Sequence, residues 1–276
     1  MPTMDSQRGD AAPSCAMVSG SGMTRILILG GTTEARLLAE RLAGRADLDV
    51  MLSLAGRTAA PARQPVPVRC GGFSGAAGLA DYLAREHIDV LIDATHPYAS
   101  AISANAWAAS QTSDVRFVAL RRPPWIAVAG DRWTEVENVR DAVRALGATP
   151  RRVFVALGRN EIAPLAEAPQ HSYVIRSVDP IDPLLPLPHA VYVTGRGPFV
   201  EADELVLMRA HGIEGVIAKN SGGAATYGKI AAARALGVEV IMLRRPPLPD
   251  APSVETVEEA IAWLDHALTS AAARGV

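Results

Sequence analysis

The chain has 276 residues, 49% of them apolar and 20% charged, and its 27 basic side chains nearly balance its 29 acidic ones. The resulting net charge of −2 supplies no overall positive field, which argues against a nucleic-acid or anionic-membrane binder. No apolar run approaches the roughly 20 residues of a membrane-spanning helix, so we expect a globular protein without a membrane partner.

Residues 1–22 mix charge, Ser, Gly and Pro and lack the apolar core of a signal peptide, so we expect a disordered N-terminal extension. Cys15 and Cys70 form neither a disulfide framework nor a Cys-x-x-Cys motif, which favours a reducing, cytoplasmic setting. The six histidines are scattered, and no metal site is expected. For the assembly we expect a monomer or a weak homo-oligomer.

From Thr24 onward, short apolar runs alternate with Ala-rich amphipathic stretches, a pattern typical of βαβ units that build a parallel sheet. The predicted strands are Arg25–Leu29, Val50–Leu54, Val90–Asp93, Val115–Leu120, Val153–Leu157, Tyr173–Ile175, Val191–Thr194, Gly215–Ala218 and Val238–Leu243. The predicted helices are Thr33–Ala43, Gly75–Glu86, Ser100–Ala109, Val136–Ala145, Glu201–Ala210, Ala224–Ala235 and Val254–Ala267. This order predicts an α/β fold of two Rossmann-like lobes, residues 23–126 and 127–276, whose parallel sheets are flanked by helices and enclose a ligand cleft.

An internal repeat also indicates two similar lobes. The segments "HIDVLIDATHPYASAIS…VRFVALRRPPW", from His87, and "GIEGVIAKNSGGAATYG…VEVIMLRRPPL", from Gly212, share the order strand, polar loop, Ala-rich helix, strand and Arg-Arg-Pro-Pro. Coincidence among Ala-rich segments is the alternative. Because open parallel sheets bind ligands at the carboxyl ends of their strands, the loops "DATHPYA" and "KNSGG" should both open toward the cleft.

The stretch "ILILGGTTEAR", residues 26–36, predicts a buried strand that enters a helix through a turn at Gly30 and Gly31. Such a turn presents backbone N–H groups and the positive end of the helix dipole to an anion. In the dinucleotide fingerprint G-x-G-x-x-G/A, Thr32 stands where the second glycine belongs. The turn is either a diphosphate site, with hydroxyl donors from Thr32 and Thr33 and a cap or ribose ligand in Glu34, or an ordinary strand-to-helix connection.

The second strand bears on the choice of nucleotide. It ends in "SLAGRT", which offers Arg57 and Thr58 and no carboxylate. An acidic residue at this position binds the ribose 2′-hydroxyl of NAD, whereas an arginine suits the 2′-phosphate of NADP. The pattern favours NADP(H); the alternative is that Arg57 is an ordinary surface arginine.

Further polar loops follow other strands. In "DATHPYA", His96 and Tyr98 are candidates for ligand binding or proton transfer, with a structural role as the alternative. "GRGPF", with Arg196, and "KNSGG", with Lys219, repeat the theme of a glycine turn after a strand, and the order of a P-loop is absent. The Arg-Arg-Pro-Pro segments supply arginines for carboxylates, or ordinary surface charge held rigid by prolines.

Taken together, "LILGGTTEARLLAERL", "DATHPYA", "LRRPPW", "GRGPF", "KNSGG" and "KIAAARALGVEVIMLRRP", in this order, resemble the precorrin-6A reductases of cobalamin biosynthesis. The resemblance runs from about Thr24 to about Pro247. It differs at Val200, where Ser is expected, and at Asn220, where Asp is common. It implies an enzyme that uses NADPH to reduce one double bond of the precorrin-6A macrocycle, giving precorrin-6B, with NADPH in the first domain and the second completing the cleft for a carboxylate-rich tetrapyrrole.

Carried over to this sequence, the resemblance implies two sets of site residues. The cofactor set is Gly30, Gly31, Thr32, Thr33 and Glu34 at the diphosphate and ribose, Arg57 and Thr58 at the 2′-phosphate, and Thr95, Lys219, Asn220 and Ser221 near the nicotinamide. The substrate set is His96, Tyr98, Arg121, Arg196 and Arg244. We expect direct hydride transfer in which a protonated ring nitrogen is the electron sink, so none of the candidates His96, Tyr98 and Lys219 is an indispensable acid.

Three other interpretations stay open at this point. The substrate can carry cobalt, as in the anaerobic route, which would make the chain a cobalt-precorrin-6A reductase. A non-enzymatic NADP(H)-binding regulator would share the first lobe without needing the loops of the second. A methyltransferase could use the glycine turn for S-adenosylmethionine, although such sites usually place an acid after the second strand.

Overall fold

A computed structural model of the chain describes residues 23–56 and 63–272. The expected N-terminal extension and the predicted cofactor residues Arg57 and Thr58 lie outside these ranges. Within them, two six-stranded parallel sheets flanked by helices confirm the predicted α/β class. None of these helices is long and apolar enough to cross a membrane.

The strands of the described residues are β1 (Thr24–Leu29), β2 (Leu48–Leu54), β3 (Val68–Cys70), β4 (Val90–Asp93), β5 (Arg116–Leu120), β6 (Trp133–Val136), β7 (Arg152–Ala156), β8 (Ser172–Ser177), β9 (Ala190–Thr194), β10 (Gly215–Lys219), β11 (Glu239–Leu243) and β12 (Ser253–Val254). The helices are α1 (Thr33–Leu42), α2 (Gly75–Arg85), α3 (Ser100–Gln111), α4 (Val139–Ala145), α5 (Glu201–Ala210), α6 (Gly228–Leu236) and α7 (Val257–Ala272), with a short 3-10 helix at Ala163–Glu167. The sequence pattern missed β3, β6 and β12, which are short and lie at sheet edges.

The two sheets have the same strand order, so the internal repeat is a repeat of structure. The first runs β3-β2-β1-β4-β5-β12 and the second β9-β8-β7-β10-β11-β6. If β7 is counted as the first strand of its lobe, both follow the doubly wound order 3-2-1-4-5-6. Matching contacts support the equivalence: Asp89 accepts a hydrogen bond from the backbone N–H of Arg25 at 2.8 Å, and Glu214 does the same for Arg152 at 2.9 Å.

The sixth strand of each sheet comes from the other half of the chain. Strand β6 follows β5 but pairs with β11, and β12 follows β11 but pairs with β5. The two Arg-Arg-Pro-Pro segments are the crossovers, and each opens with a matching bond: Arg121 N–H to the Val254 carbonyl and Arg244 N–H to the Val136 carbonyl, both 2.8 Å. Proline has no N–H to donate, so the segments leave the sheets there.

This exchange alters the expected division of the chain. The sequence analysis assigned all of residues 127–276 to the second lobe, whereas β12 and α7 complete the first. Ala260 and Leu264 of α7 are fully buried in the core formed by β1, β2, β4 and α1. A two-residue edge strand leaves almost no periodic signal, and α7 has the same amphipathic pattern whichever sheet it covers, so local sequence could not reveal the exchange.

Candidate active site

Loops from the carboxyl ends of both sheets meet in one place. The first sheet contributes the turn Gly30–Glu34 after β1 and the loop 94–99 after β4, and the second contributes residues 219–223 after β10. Both Arg-Arg-Pro-Pro crossovers pass beside these loops, because they leave the neighbouring strands β5 and β11. The geometry therefore brings together the two glycine-containing loops that the sequence singled out.

The Gly30–Glu34 turn is shaped for close approach to the backbone. A Cβ on Gly30 would lie 2.6 Å from Leu52 Cδ1, so a larger residue there would force the Leu52 side chain to move. Gly31 has φ +112° with open space where a Cβ would point. The N–H groups of the first turn of α1, which begins at Thr33, have no preceding helical carbonyl to bind. The turn thus suits an anion such as a diphosphate.

Thr32 differs from its expected role as a hydroxyl donor to phosphate. Its hydroxyl donates to the Ala94 carbonyl at 2.8 Å and accepts from the Ala35 N–H at 3.1 Å, which makes it the N-cap of α1. Because the hydroxyl proton is already used, the side chain supports the turn by joining it to the loop after β4. The hydroxyl of the exposed Thr33 has no such cap role.

Glu34 forms an ion pair with Arg122, the second arginine of the first crossover. Both side chains are largely buried, with 22% and 14% of their surface exposed. Arg122 also donates from Nε to the Ser221 carbonyl at 2.7 Å. Arg245, the matching residue of the second crossover, donates to the carbonyls of Asn220 at 2.9 Å and Ser221 at 3.1 Å. The loop 219–223 is therefore held by two guanidinium groups.

Tyr98 joins the first lobe to the second. Its hydroxyl donates to the Leu243 carbonyl and accepts from the Asn220 N–H at 2.8 Å. Burial raises its pKa to about 12, partly offset by the bond from Asn220. Because both hydrogen-bonding functions are used, the side chain acts in this structure as a link between sheets and stays protonated at neutral pH.

His96 lies between the two loops as a neutral imidazole. Its Nδ1 accepts from the Tyr98 N–H at 3.2 Å, which leaves the proton on Nε2, 3.2 Å from Ser221 Oγ. Burial, followed by the charges of Arg122, Lys219 and other cations, lowers its pKa to about 3. At neutral pH the ring can donate one hydrogen bond but carries no charge.

The remaining candidates from the second lobe have distinct partners. Lys219 pairs with Glu161, and its ammonium lies 5.1 Å from the centre of the Tyr98 ring. The Asn220 amide accepts from the Trp125 N–H at 2.7 Å and donates to the Trp125 carbonyl at 2.9 Å, so it fixes the crossover. Thr95, on the first lobe, donates to the buried Asp93 from its N–H and hydroxyl.

The three arginines predicted for substrate carboxylates differ in availability. Arg244 is half exposed and already binds Glu135 at 2.9 Å and Glu137 at 2.7 Å. Arg121 donates to the Pro249 carbonyl at 2.9 Å, and its Nε and Nη2 are buried. A carboxylate would have to displace the glutamates from Arg244 or open the packing around Arg121. Arg196 is exposed in the loop between β9 and α5.

Sequence reasoning missed several residues of the site. The Arg-Arg-Pro-Pro pattern indicates carboxylate-binding arginines, but it does not reveal that Arg122 and Arg245 hold the loop 219–223. Glu161 was missed although "LGRNE" after β7 matches "GGTTE" after β1 in the glycine and the glutamate. Lys229 on α6 is only 4% exposed; its Nζ donates to the Thr226 carbonyl at 2.6 Å, and burial lowers its pKa to about 7.

An open groove of about 710 Å³ lies beside these loops on the second lobe. The first crossover, the start of α5 and α6 form its walls, and Gly223 contributes to its lining. The rings of Trp125 and Tyr227 pack edge to face, with centres 5.5 Å apart. Arg234 also lines the groove, but its guanidinium is paired with Asp131 at 2.8 Å, and Glu201 adds a carboxylate to the lining. The aromatic rings suit a large ligand with an apolar ring, and an acidic group of that ligand would have to displace Asp131 from Arg234. Within the described residues, no group of three His, Cys, Asp or Glu side chains could hold a metal ion.

Comparison with known proteins shows the family of the chain. The family model described as Precorrin-6x reductase CbiJ/CobK matches residues 25–265. A precorrin-6A reductase from Sinorhizobium sp is 56% identical over 247 residues, which cover 90% of this chain and 95% of the relative. One from Rhodobacter capsulatus is 49% identical over 248 residues, covering 90% and 98%. A cobalt-precorrin-6A reductase from Priestia megaterium is 25% identical over 257 residues.

A solved structure described as CobK precorrin-6A reductase superposes with a TM-score of 0.85 at 48% identity, covering 88% of this chain and 97% of that one. Matches of sequence and of structure therefore extend over both lobes and both crossovers. The family model ends at residue 265, within α7, so it includes the segment that returns to the first sheet. This chain belongs to the precorrin-6x reductase family.

Proposed function

We propose that this protein is a precorrin-6A reductase that uses NADPH to reduce one double bond of the precorrin-6A macrocycle, giving precorrin-6B. The observation that carries the proposal is the meeting of the anion-ready Gly30–Glu34 turn with the loop 219–223 of the other lobe. A nucleotide on the first lobe and a ring on the second would then contact each other at the junction of the lobes. Family membership supplies the reaction.

The first lobe suits the cofactor. Gly30, Gly31, Thr33 and Glu34 surround a helix N-terminus that can take a diphosphate, and Thr32 maintains that turn. In this proposal Arg57 and Thr58 bind the 2′-phosphate, as the absence of a carboxylate in "SLAGRT" suggests. When bound, NADPH supplies the hydride.

The second lobe suits the substrate. A tetrapyrrole is a large ring that bears many carboxylates, and the groove beside Gly223 offers it aromatic rings, with Arg234 available to a carboxylate once Asp131 releases it. Arg196, at the end of β9, is a candidate for one carboxylate, and Lys219 for another once Glu161 releases it. Arg121 and Arg244 would contribute only after the rearrangements described above.

The protein's own groups position the reactants in this proposal more than they transfer protons. His96 is neutral and Tyr98 remains protonated near pH 7, since their pKa values are shifted to about 3 and about 12. Neither is a strong acid there, which supports a reaction driven by alignment of donor and acceptor. The hydrogen bond from His96 to Ser221 keeps the loop 219–223 beside the cofactor turn.

A single assay separates this function from its rivals. The purified protein is mixed with NADPH, and loss of the reduced nicotinamide absorbance is followed with and without precorrin-6A. We expect oxidation only with the tetrapyrrole. Binding of NADPH without any oxidation would favour the regulator, and oxidation only with cobalt-precorrin-6A would favour the cobalt-dependent alternative.

The proposal also covers the metal content of the substrate, the cellular location and the assembly. Relatives that are 56% and 49% identical are precorrin-6A reductases, whereas the cobalt-precorrin-6A reductase is 25% identical, so the metal-free substrate is favoured. A cytoplasmic location suits the exposed free thiol of Cys70, which a reducing compartment protects. We place the protein there as a monomer or a weak homo-oligomer.

A further inference from the structure

The ion pair between Glu34 and Arg122 joins two parts of the molecule that would bind different ligands. Glu34 belongs to the cofactor turn of the first lobe. Arg122 touches the second lobe twice: its Nε donates to the Ser221 carbonyl at 2.7 Å, and its Cδ lies 3.0 Å from the Cβ position of Gly223. Glu34 Oε1 lies 3.1 Å from that same position. The pair therefore sits directly against the backbone of the loop 219–223.

The loop 219–223 packs so closely against the first crossover that its backbone conformation is fixed. Gly222 and Gly223 have φ of +67° and +70°, and a Cβ on Gly222 would lie 2.2 Å from the Pro123 carbonyl oxygen. Glycine is required here because the crossover and the loop pack backbone to backbone. A movement of Arg122 must consequently move the loop that carries Lys219 and Ser221.

The positive charges of Arg122 and its neighbour outnumber the negative charges bound to them. Arg122 and Arg245 lie side by side, and Arg245 Nη1 donates to the Arg122 carbonyl at 2.9 Å. Arg245 binds only carbonyls in the described contacts, so Glu34 is the single carboxylate bound to the pair. Burial and the neighbouring charge of Arg122 lower the pKa of Arg245. An added negative charge at the cofactor turn would stabilise the two guanidinium groups where they stand.

From this arrangement we infer that Arg122 is a positioning residue that couples the two ligands: NADP(H) at the Gly30–Glu34 turn holds Arg122 against Ser221 and so prepares the loop 219–223 for the tetrapyrrole. The inference rests on the proposed function, since it requires both ligands to bind this chain. It predicts cooperative binding, in which each ligand raises the affinity for the other by the same factor.

The test measures the affinity for precorrin-6A by titration with and without saturating NADP⁺, a pair that cannot react because the nicotinamide is already oxidised. For the wild type we expect NADP⁺ to tighten precorrin-6A binding at least about fivefold, within the usual range for coupled sites. Arg122→Met should reduce this factor to about 1.

Two further variants control for misfolding and for the loss of an ion pair elsewhere. Arg122→Lys keeps the charge and should fold if Arg122→Met does not; one ammonium cannot reproduce the forked contact with Glu34 and Ser221, so it should also lose most of the coupling. Arg140→Met removes an exposed ion pair with Glu167 on the second lobe and should retain the wild-type factor.

The outcomes are distinguishable. Retention of the factor in both Arg122 variants, or its absence in the wild type, would overturn the inference. An equal loss of precorrin-6A affinity with and without NADP⁺ would show that Arg122 binds the substrate directly, which also overturns it. Failure of either ligand to bind the wild type would instead refute the proposed function.

Discussion

In each lobe the first strand ends in a related turn, but the two turns differ in whether an anion can reach their backbone N–H groups. "GGTTE" after β1 leads into α1, a ten-residue helix, whereas "LGRNE" after β7 leads into the short 3-10 helix. In the second lobe the Glu161 carboxylate accepts from the Gly158 N–H at 3.0 Å and pairs with Lys219. In the first lobe Glu34 points away to Arg122. One turn is open to an external anion, and the other is closed by its own glutamate.

This difference gives a physical reason to expect one nucleotide site, and not two, from a shared topology. The second lobe retains the strand order, but it lacks a long helix whose dipole would favour an anion at the turn. Glu161 occupies the position beside the backbone N–H, so a phosphate there would meet a carboxylate. In the proposed function, nucleotide binding therefore depends on a few side chains at the turn and not on the sheet.

The largest expected effect comes from making the first turn resemble the second. Gly30→Leu copies Leu157, the matching residue of the second lobe. Its Cβ would collide with Leu52, at an overpacking cost of about 1–3 kcal/mol. Displacement of the turn should weaken NADP⁺ roughly 100-fold, equal to the loss of about two charge-assisted hydrogen bonds. Calorimetric titration measures the affinity.

Leu157→Gly is the matched control for that change. It opens a cavity in the second lobe, and we expect it to lower the melting temperature without altering NADP⁺ binding. Similar losses of NADP⁺ affinity in both variants would mean that the two turns do not differ as described.

Arg57→Ala tests which nucleotide the open turn accepts. Loss of one charge-assisted hydrogen bond, about 1.5–3 kcal/mol, should weaken NADPH about tenfold or more. NADH lacks the 2′-phosphate, so its dissociation constant should hardly change. Parallel titrations with the two dinucleotides measure the ratio, and equal losses would remove Arg57 from the 2′-phosphate site.

His96 and Ser221 hold matching positions after β4 and β10, yet only the histidine titrates. Its pKa is about 3 in the folded protein and near 6.5 when unfolded, so the stability it contributes is complete above about pH 6.5 and is lost as the pH falls toward 3. The slope is at most about 1.4 kcal/mol per pH unit. His96→Gln should be correspondingly less sensitive to acid.

Urea unfolding of both proteins at several pH values between 4.5 and 7.5, roughly the window in which an ordinary histidine gains its proton, checks this prediction. The pKa of the buried His171 is also lowered by burial, so both proteins retain that share of the pH dependence. Parallel stability curves for the two would contradict the assignment of a neutral native His96.

The smallest expected effect is that of Glu161→Gln. The pair with Lys219 is partly exposed, so its loss should change the free energy of unfolding by about 1 kcal/mol or less. NADP⁺ affinity should stay within about twofold of the wild type, because the proposed nucleotide site lies at the first turn. A second molecule of NADP⁺ bound to the wild type would contradict the comparison directly.

Much of the fold and part of the site follow from the sequence. Strands such as β1 and β4 are continuous apolar runs between breakers, and the repeated Arg-Arg-Pro-Pro segments already indicated two similar lobes. The roles of Thr32, Tyr98 and Asn220 did not follow, because their hydroxyl and amide groups bind partners far along the chain. The contacts of Arg122 did not follow for the same reason: its partners Glu34 and Ser221 are 88 and 99 positions away.

The exchanged sixth strands also govern the order in which the molecule can be completed. During synthesis β5 has no strand on the side away from β4, and the core surface covered by Leu264 stays uncovered, until residues 253–264 have emerged. The first lobe therefore cannot finish folding before the second has been made, in contrast to the usual domain-by-domain sequence. A chain cut after residue 247 would lack β12 and α7. The cut would therefore leave the lobe that begins at Thr24 incomplete, although that lobe lies farther from the cut along the sequence.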